Sequence, residues 1–75
     1  MLKLDAMVEV FKTNVQREID TNYIIAVIKR QFPLYKVNFD LEDCDKILRV
    51  EGANLEAENI IEHVNCLGYT CIQLE

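Results

Sequence analysis

The chain has 75 residues, a net charge of −5 and a hydrophobic share of 51% that is spread along its whole length. This length suits one domain, so we expect a single domain over residues 1–75. The acidic balance argues against nucleic acid or an anionic membrane surface as a partner, and no apolar run approaches the roughly 20 residues that span a bilayer.

The cysteines and the first residues favour a reducing compartment. Cys44, Cys66 and Cys71 are odd in number and contain no Cys-x-x-Cys pair, unlike a disulfide framework. The segment Met1-Leu2-Lys3-Leu4-Asp5 has no apolar stretch long enough for a signal peptide. We therefore expect a cytoplasmic protein.

The charges are unevenly placed along the chain. Residues 1–37 carry six basic and four acidic side chains, whereas residues 38–75 carry two basic and nine acidic ones. Two explanations fit this pattern. One is a solubilising acidic surface, and the other is a dipolar surface that orients a partner or a second copy.

The first segment predicts a strand that ends near Lys12. Its apolar residues occupy the even positions Leu2, Leu4, Ala6, Val8 and Val10. Because side chains alternate between the two faces of a strand, we expect this even-numbered set to face the core.

A loop over residues 13–19 and then a helix should follow. Asp20 is the expected N-cap, and Ile19 and Ile24 would form a hydrophobic staple around it. Pro33 should end the helix because it lacks an N–H donor and disfavours helical geometry at the residue before it. Its predicted apolar face contains Ile24, Val27 and Ile28.

The middle of the chain predicts an antiparallel hairpin. The inward residues of its first strand are Tyr35, Val37, Phe39 and Leu41. Residues 42–45 form an acidic turn, and residues 47–51 form the next strand, with Leu48 and Val50 inward and Gly52 closing it. The acidic turn lacks the glycine and the ordered spacing of a calcium loop, so we interpret it as a solvated turn.

A second helix and a last strand complete the chain. Asn54 is the expected cap of the helix, and Gly68 is the expected left-handed residue after it. The buried stripe of this helix should contain Ala57, Ile60, Ile61, Val64 and Leu67. The last strand covers residues 69–74, with Ile72 and Leu74 facing the core and Cys71 on the opposite face.

The order strand, helix, strand, strand, helix, strand predicts an α+β fold of the ferredoxin-like type. Two right-handed crossovers then give a four-stranded antiparallel sheet with both helices on one face. The second half of the chain resembles the heavy-metal-associated domains of copper chaperones in residues 37–41, in residues 47–52, in Ile60-Ile61 and in Leu67-Gly68-Tyr69. The resemblance implies the same fold. It also implies a first loop where that family carries Met-x-Cys-x-x-Cys, whose thiolates bind soft ions such as Cu(I).

This chain lacks those thiolates. Depending on the alignment, the cysteine positions of the family fall on Asn14 and Arg17, on Val15 and Glu18, or on Arg17 and Asp20. Residues 1–43 contain no cysteine at all. We therefore expect a degenerate member of the family that has no metal, no cofactor and no enzymatic activity.

Our leading hypothesis is a protein-interaction module whose partner is another protein. The resemblance implies that the surface facing a partner is the end of the domain that holds the first loop. The candidate interaction residues there are Lys12, Asn14, Arg17, Asp43 and Asp45. Homodimerisation through an unpaired edge strand near residues 69–75 is a related hypothesis.

The alternative function is binding or trafficking of Cu(I) or Zn(II) through a relocated site that uses Cys44 and Cys66, within one chain or across a dimer. Against it, Cys66 should point to solvent, and Cys44 should lie several strand spacings of about 4.8 Å away. Zinc needs its thiolate ligands at about 2.3 Å. His63, at the margin of the helix stripe, is interpreted as a partly covered structural histidine.

Overall fold

A computed structural model describes residues 6–74. The elements are β1 (Met7–Thr13), α1 (Glu18–Gln31), β2 (Lys36–Asp40), β3 (Ile47–Gly52), α2 (Ala57–Cys66) and β4 (Cys71–Leu74). The strands pair antiparallel in the order β2-β3-β1-β4, and both helices contribute to one core. The predicted ferredoxin-like α+β fold is confirmed. Leu2 and Leu4, predicted to face inward, lie outside the described residues.

The core lies between the two helices and one face of the sheet. The predicted apolar faces of the helices supply Ile24, Ile28, Ile60 and Val64, all fully buried. Each such side chain contributes on the order of 1.5–3 kcal/mol relative to an exposed position, before the loss of conformational entropy is counted. Val27, predicted on the same face of α1, is only half-buried.

The predicted hairpin is confirmed to within one residue at each end. Val37, Leu48 and Val50 are buried on the helix side of the sheet, as expected. The first helix ends at Gln31, two residues before Pro33, also as expected. The hairpin strands have a regular apolar alternation, and the end of α1 is marked by Pro33. The sequence pattern therefore predicts the inward faces of the hairpin and the end of the helix correctly.

The inward face of β1 was predicted wrongly. Phe11 is fully buried, whereas Val8 is 42% exposed. Phe11 lies opposite Leu48 in the β1–β3 pairing, and side chains at opposed positions point to the same face of a sheet. The odd-numbered residues of β1 therefore face the helices, and Val8 and Val10 lie on the other side.

The inward face of β4 was also predicted wrongly. Cys71 is 6% exposed in the core, whereas Ile72 is 59% exposed. Thr13 lies opposite Cys71, and Val10 lies opposite Leu74. Because β4 pairs only with β1, its phase follows that of β1, and both predictions fail together.

The predicted start of α1 is three positions too late. The helix begins at Glu18 after an extended Arg17, so Asp20 lies in the first turn and does not cap the helix. Ile19 is 68% exposed, which rules out the predicted staple. The carboxylate of Asp20 instead accepts hydrogen bonds from Arg17 and Tyr69.

The predicted cap of α2 is wrong as well. Glu56 occupies the cap position, and Asn54 precedes it with a left-handed φ of 56°. Leu55 is buried between them at 4% exposure, and this anchor moves the helix start away from Asn54. Gly68 has a φ of 96°, so the predicted left-handed residue after α2 is confirmed.

The corrected phase of β4 predicts how the cysteines react. Cys44 and Cys66 are exposed and Cys71 is buried, and burial raises the pKa of the Cys71 thiol to about 12. Because the thiolate is the nucleophile, we expect iodoacetamide to alkylate Cys44 and Cys66 in the native protein and Cys71 only in denaturant. Intact mass and peptide mapping measure the sites. Alkylation of native Cys71 as fast as Cys44 would instead place its side chain on the open side of the sheet.

Candidate functional site

The end of the domain that holds the first loop is built from three connections, which we call the loop end: residues 14–17, residues 41–46 and residues 67–70. The N–H of Thr13 donates to the carbonyl of Asp45 at 3.1 Å, and its hydroxyl donates to the carbonyl of Lys46 at 2.6 Å. The N–H of Thr70 donates to Oδ1 of Asn14 at 2.9 Å. The expectation that these connections meet at one end is confirmed.

Asp20 joins the first loop to the segment after α2. It accepts from Nε of Arg17 at 3.1 Å and from the hydroxyl of Tyr69 at 3.0 Å. The bonds from Arg17 and then Tyr69 hold the pKa of the Asp20 carboxyl below its ordinary value. The same contacts raise the pKa of Arg17 and of Tyr69. Their effect is to fix the start of α1 against residue 69.

The acidic turn is shaped by its own side chains. Oδ1 of Asp43 accepts from the N–H of Asp45 at 2.8 Å, and the carbonyl of Asp43 accepts from the N–H of Lys46 at 3.0 Å. Lys46 has a left-handed φ of 49°, and its ammonium donates to the carbonyl of Leu41 at 3.0 Å. These bonds account for the tightness of the turn.

The predicted interaction residues lie at or beside the loop end, and each has a partner within the chain. Lys12 Nζ lies 3.6 Å from Asp45, with side chains 53% and 41% exposed. Asn14, Arg17 and Asp43 make the bonds described above. Exposed ion pairs of this kind contribute only about 0–1 kcal/mol, so a partner protein can compete for them at small cost. A binding role for these five residues stays a prediction.

The predicted metal ligands are not gathered into one cluster. Within residues 6–74, the one group of three or more candidate ligands with atoms within 4.8 Å contains Asp43, Cys44 and Asp45. Two hard carboxylates beside one thiol are a mixed donor set that does not suit a soft ion, and Cys66 is not part of the group. A relocated site using Cys44 and Cys66 stays a prediction.

His63 is partly covered, as predicted. Its Nδ1 lies 2.7 Å from the carbonyl of Asn59, which can only accept, so Nδ1 carries the proton. The ring packs edge-on against Phe32 with centroids 5.5 Å apart. These two contacts account for the position of His63.

The sheet face away from the helices, which we call the open face, was missed by sequence reasoning. Its apolar half consists of Val8, Val10, Ile72 and Leu74 on β1 and β4. Its charged half carries Lys36, Asp40, Arg49 and Glu51 on β2 and β3, and Lys12 and Ile47 lie between the halves. The apolar half was missed because these four side chains were assigned to the core. The signal that could have found it is Phe11, the bulkiest residue of the first segment, at an odd position.

The two edge strands differ in charge. β2 carries Lys36 and Asp40, whereas residues 71–74 of β4 carry no charged side chain. Charges on an edge strand discourage pairing with the edge strand of another chain. The apolar half therefore borders the edge that lacks this protection.

The surface of residues 6–74 includes three shallow grooves. Those between the helices and beside β2 have volumes of about 350 to 390 Å³ and are open to solvent. No helix within residues 6–74 is long and apolar enough to cross a membrane.

No family model, curated protein or solved structure matches the chain. The resemblance to heavy-metal-associated domains therefore rests on the sequence pattern alone. The ferredoxin-like fold hosts many unrelated functions, so the function has to be argued from the surfaces described above.

The contacts of Asp20 predict a pH-dependent stability. Because its folded pKa is lowered, its contribution is complete above the unfolded pKa of about 3.9 and is lost as pH falls through the folded pKa. We expect Asp20→Asn to destabilise the protein at neutral pH and to have a much smaller effect in strong acid. Urea unfolding of both proteins over that range measures the difference.

Tyr69→Phe is the matched control, because it removes one hydrogen bond to Asp20 and leaves the carboxylate in place. A penalty for Asp20→Asn that stays constant from neutral to acidic pH would contradict this assignment.

Proposed function

We propose that this chain is a non-enzymatic protein-interaction domain that contacts its partner through the apolar half of the open face. The observation that carries the proposal is the exposure of Ile72 and Val8, at 59% and 42%, beside the half-buried Val10 and Leu74 on a sheet face that no helix among residues 6–74 covers. Monomeric proteins rarely expose contiguous apolar patches of large size, and larger ones mark contact sites.

The loop end supplies a polar rim to this patch. Lys12 lies opposite Ile72 in the β1–β4 pairing, and its ammonium reaches Asp45 in the acidic turn. Interfaces combine an apolar centre with a polar, solvent-accessible rim. We include the predicted residues Lys12, Arg17 and Asp43 in the proposed contact surface, with Lys12 as the one that adjoins the apolar half.

A catalytic role has no comparable support in residues 6–74. The shifted groups there are Arg17, Asp20 and Tyr69, whose pKa values respond to one another, and Cys71, which is buried. Catalysis needs such groups beside a pocket that can hold a substrate, and the grooves are shallow.

The proposal also includes a relationship to the heavy-metal-associated domains and a cytoplasmic location. The βαββαβ order and the first loop without cysteines support a metal-free relative of the heavy-metal-associated domains. The three free cysteines support action in a reducing compartment such as the cytoplasm.

A double variant of the open face tests the proposed contact. In Val8→Lys/Ile72→Glu, each new charge lies opposite a residue of the other sign, Glu51 or Lys12, so the sheet should persist and the net charge stays the same. We expect partners captured by the unaltered protein to be lost, and purified partner to bind at least about tenfold more weakly.

The control variant Tyr23→Lys/Leu34→Glu alters two other exposed apolar residues, at 55% and 93% exposure, with the same charge change. It should keep the partners. Charge reversal at Arg17 and Asp43 should weaken capture without abolishing it, because rim charges mainly change the rate of association. Capture that survives the open-face variant with its circular dichroism unchanged would refute the proposal.

Soft-metal binding is the second candidate, supported by the exposure of both Cys44 and Cys66. Since the cluster at the acidic turn joins only one thiol to two carboxylates, we expect no tight stoichiometric complex with Cu(I) or Zn(II). Native mass spectrometry of the reduced protein measures this, with Cys44→Ser/Cys66→Ser as control. Stoichiometric binding that disappears in the control would favour the second candidate over the first.

A further inference from the structure

One of the three grooves lies at the end of the domain opposite the loop end. It has a volume of about 390 Å³, and its two walls are residues 31–35, at the end of α1, and residues 53–54, after β3. The ring of Tyr35 covers Gly52, which follows the buried Val50 by two positions and so lies on the helix side of the sheet. The groove is therefore separate from the open face.

Contacts within the chain hold the two walls in place. The N–H of Tyr35 donates to the carbonyl of Phe32 at 3.0 Å, and their rings stack with centroids 4.8 Å apart. The hydroxyl of Tyr35 donates to the carbonyl of Asn54 at 3.4 Å and so joins the walls. A Cβ at Gly52 would overlap the ring of Tyr35, so the glycine leaves room for it. The groove is thus formed before a ligand arrives, which lowers the cost of binding.

Most side chains of the walls are apolar, and one of them is almost entirely exposed. Leu34 is 93% exposed beside the exposed Pro33, in the turn between α1 and β2. Turns favour Gly, Asn, Asp and Ser, and an exposed leucine gains almost nothing from its own fold. The groove therefore offers apolar surface to a ligand, and the amide groups of Gln31 and Asn54 can bond to a peptide backbone.

Basic side chains flank the first wall in a chain that is otherwise strongly acidic. Residues 21–39 contain no acidic side chain and three basic ones, Lys29, Arg30 and Lys36. The remainder of the chain carries five basic and thirteen acidic side chains. The ammonium of Lys29 reaches the wall, where it donates to the carbonyl of Tyr35 at 3.4 Å. An anionic ligand therefore meets less repulsion here than over the rest of the chain.

Two acidic residues flank the second wall in the sequence. Glu51 lies opposite Lys36 in the β2–β3 pairing, on the open face and away from the groove. The carboxylate of Glu56 accepts from the side chain of Asn59 at 3.2 Å. Basic residues in the last turn of α1 also offset the negative end of its dipole, but the dipole does not explain the apolar walls.

We propose that this groove binds a short acidic peptide segment of another protein. An apolar side chain of the peptide occupies the groove, and its carboxylates lie near Lys29 and Arg30. A short segment fits better than a nucleic acid or an anionic membrane, because an extended anionic partner would also meet the acidic remainder of the chain. This site is additional to the open-face contact and does not depend on it.

Selection of displayed random peptides on the immobilised protein tests the inference. Acidic peptides that contain an apolar residue should be enriched, and their affinity, measured by fluorescence anisotropy, should fall as salt is raised. Leu34→Glu should lower that affinity at least about tenfold, because it places a like charge in the groove at a position that the fold does not need.

Ile72→Glu is the matched control, because it adds the same charge at another exposed apolar residue, on the open face. It should bind the selected peptides as tightly as the unaltered protein does. Amide NMR shifts on addition of a selected peptide should cluster at residues 29–36 and 53–56, while the amides of β1 and β4 stay constant.

Selection that yields no acidic peptide would overturn the inference. Acidic peptides that Leu34→Glu binds as tightly as Ile72→Glu does would overturn it as well. Either result leaves the open-face contact intact, because the two surfaces are tested by different variants. Val8→Lys/Ile72→Glu should keep the acidic peptides, and Tyr23→Lys/Leu34→Glu should lose them while it keeps the partner of the open face.

Discussion

Phe11 lies opposite Leu48 in the pairing of β1 with β3, and both side chains are fully buried under the helices. This register of β1 against β3 determines which side chains of β1 and β4 face the helices. It turns the odd-numbered side chains of β1 toward the helices, where Phe11 and Thr13 are buried, and β4 follows because β1 is its only neighbour. A shift of one residue would exchange the two faces and bury Lys12 in place of Phe11. The burial of one large aromatic side chain therefore selects which four apolar residues remain on the open face.

Thr13, the last residue of β1, links the paired strands to the loop end. Its side chain is buried, donates to the carbonyl of Lys46 and accepts from the N–H of Val15, so its polar groups are satisfied. Its backbone N–H donates a hydrogen bond to the carbonyl of Asp45. Because an unpaired buried hydroxyl would cost about 1–3 kcal/mol, the end of β1 and the acidic turn hold each other in place. These bonds thus fix the shape of the loop end beside the open face.

The fold could be predicted from the sequence, and so could the buried face of each segment whose apolar residues all fall on one side, such as Ile60 and Val64 on α2. The inward face of β1 could not be predicted, because the strand has apolar residues on both faces. Val8 and Val10 stand at even positions and Phe11 at an odd one. Only the pairing with β3 decides between them, and pairing is not a local property. The misplaced start of α1 has the same origin, since the carboxylate of Asp20 bonds to Tyr69, 49 residues away in the sequence. The meeting of the three connections at the loop end was predictable because it follows from topology, whereas the apolar half depends on which residues of β1 face inward.

The apolar character of the open face is not needed by the fold. Strands favour β-branched residues for their pleated surface, which explains Val8, Val10 and Ile72 in part. Threonine would serve an exposed strand position equally well, and Leu74 is not β-branched. Ile72, at 59% exposure, gains little from its own domain, and a chain this small buries only about 60% of its unfolded surface. Side chains that contribute little to folding and carry a risk of aggregation are those that the proposed partner contact would cover.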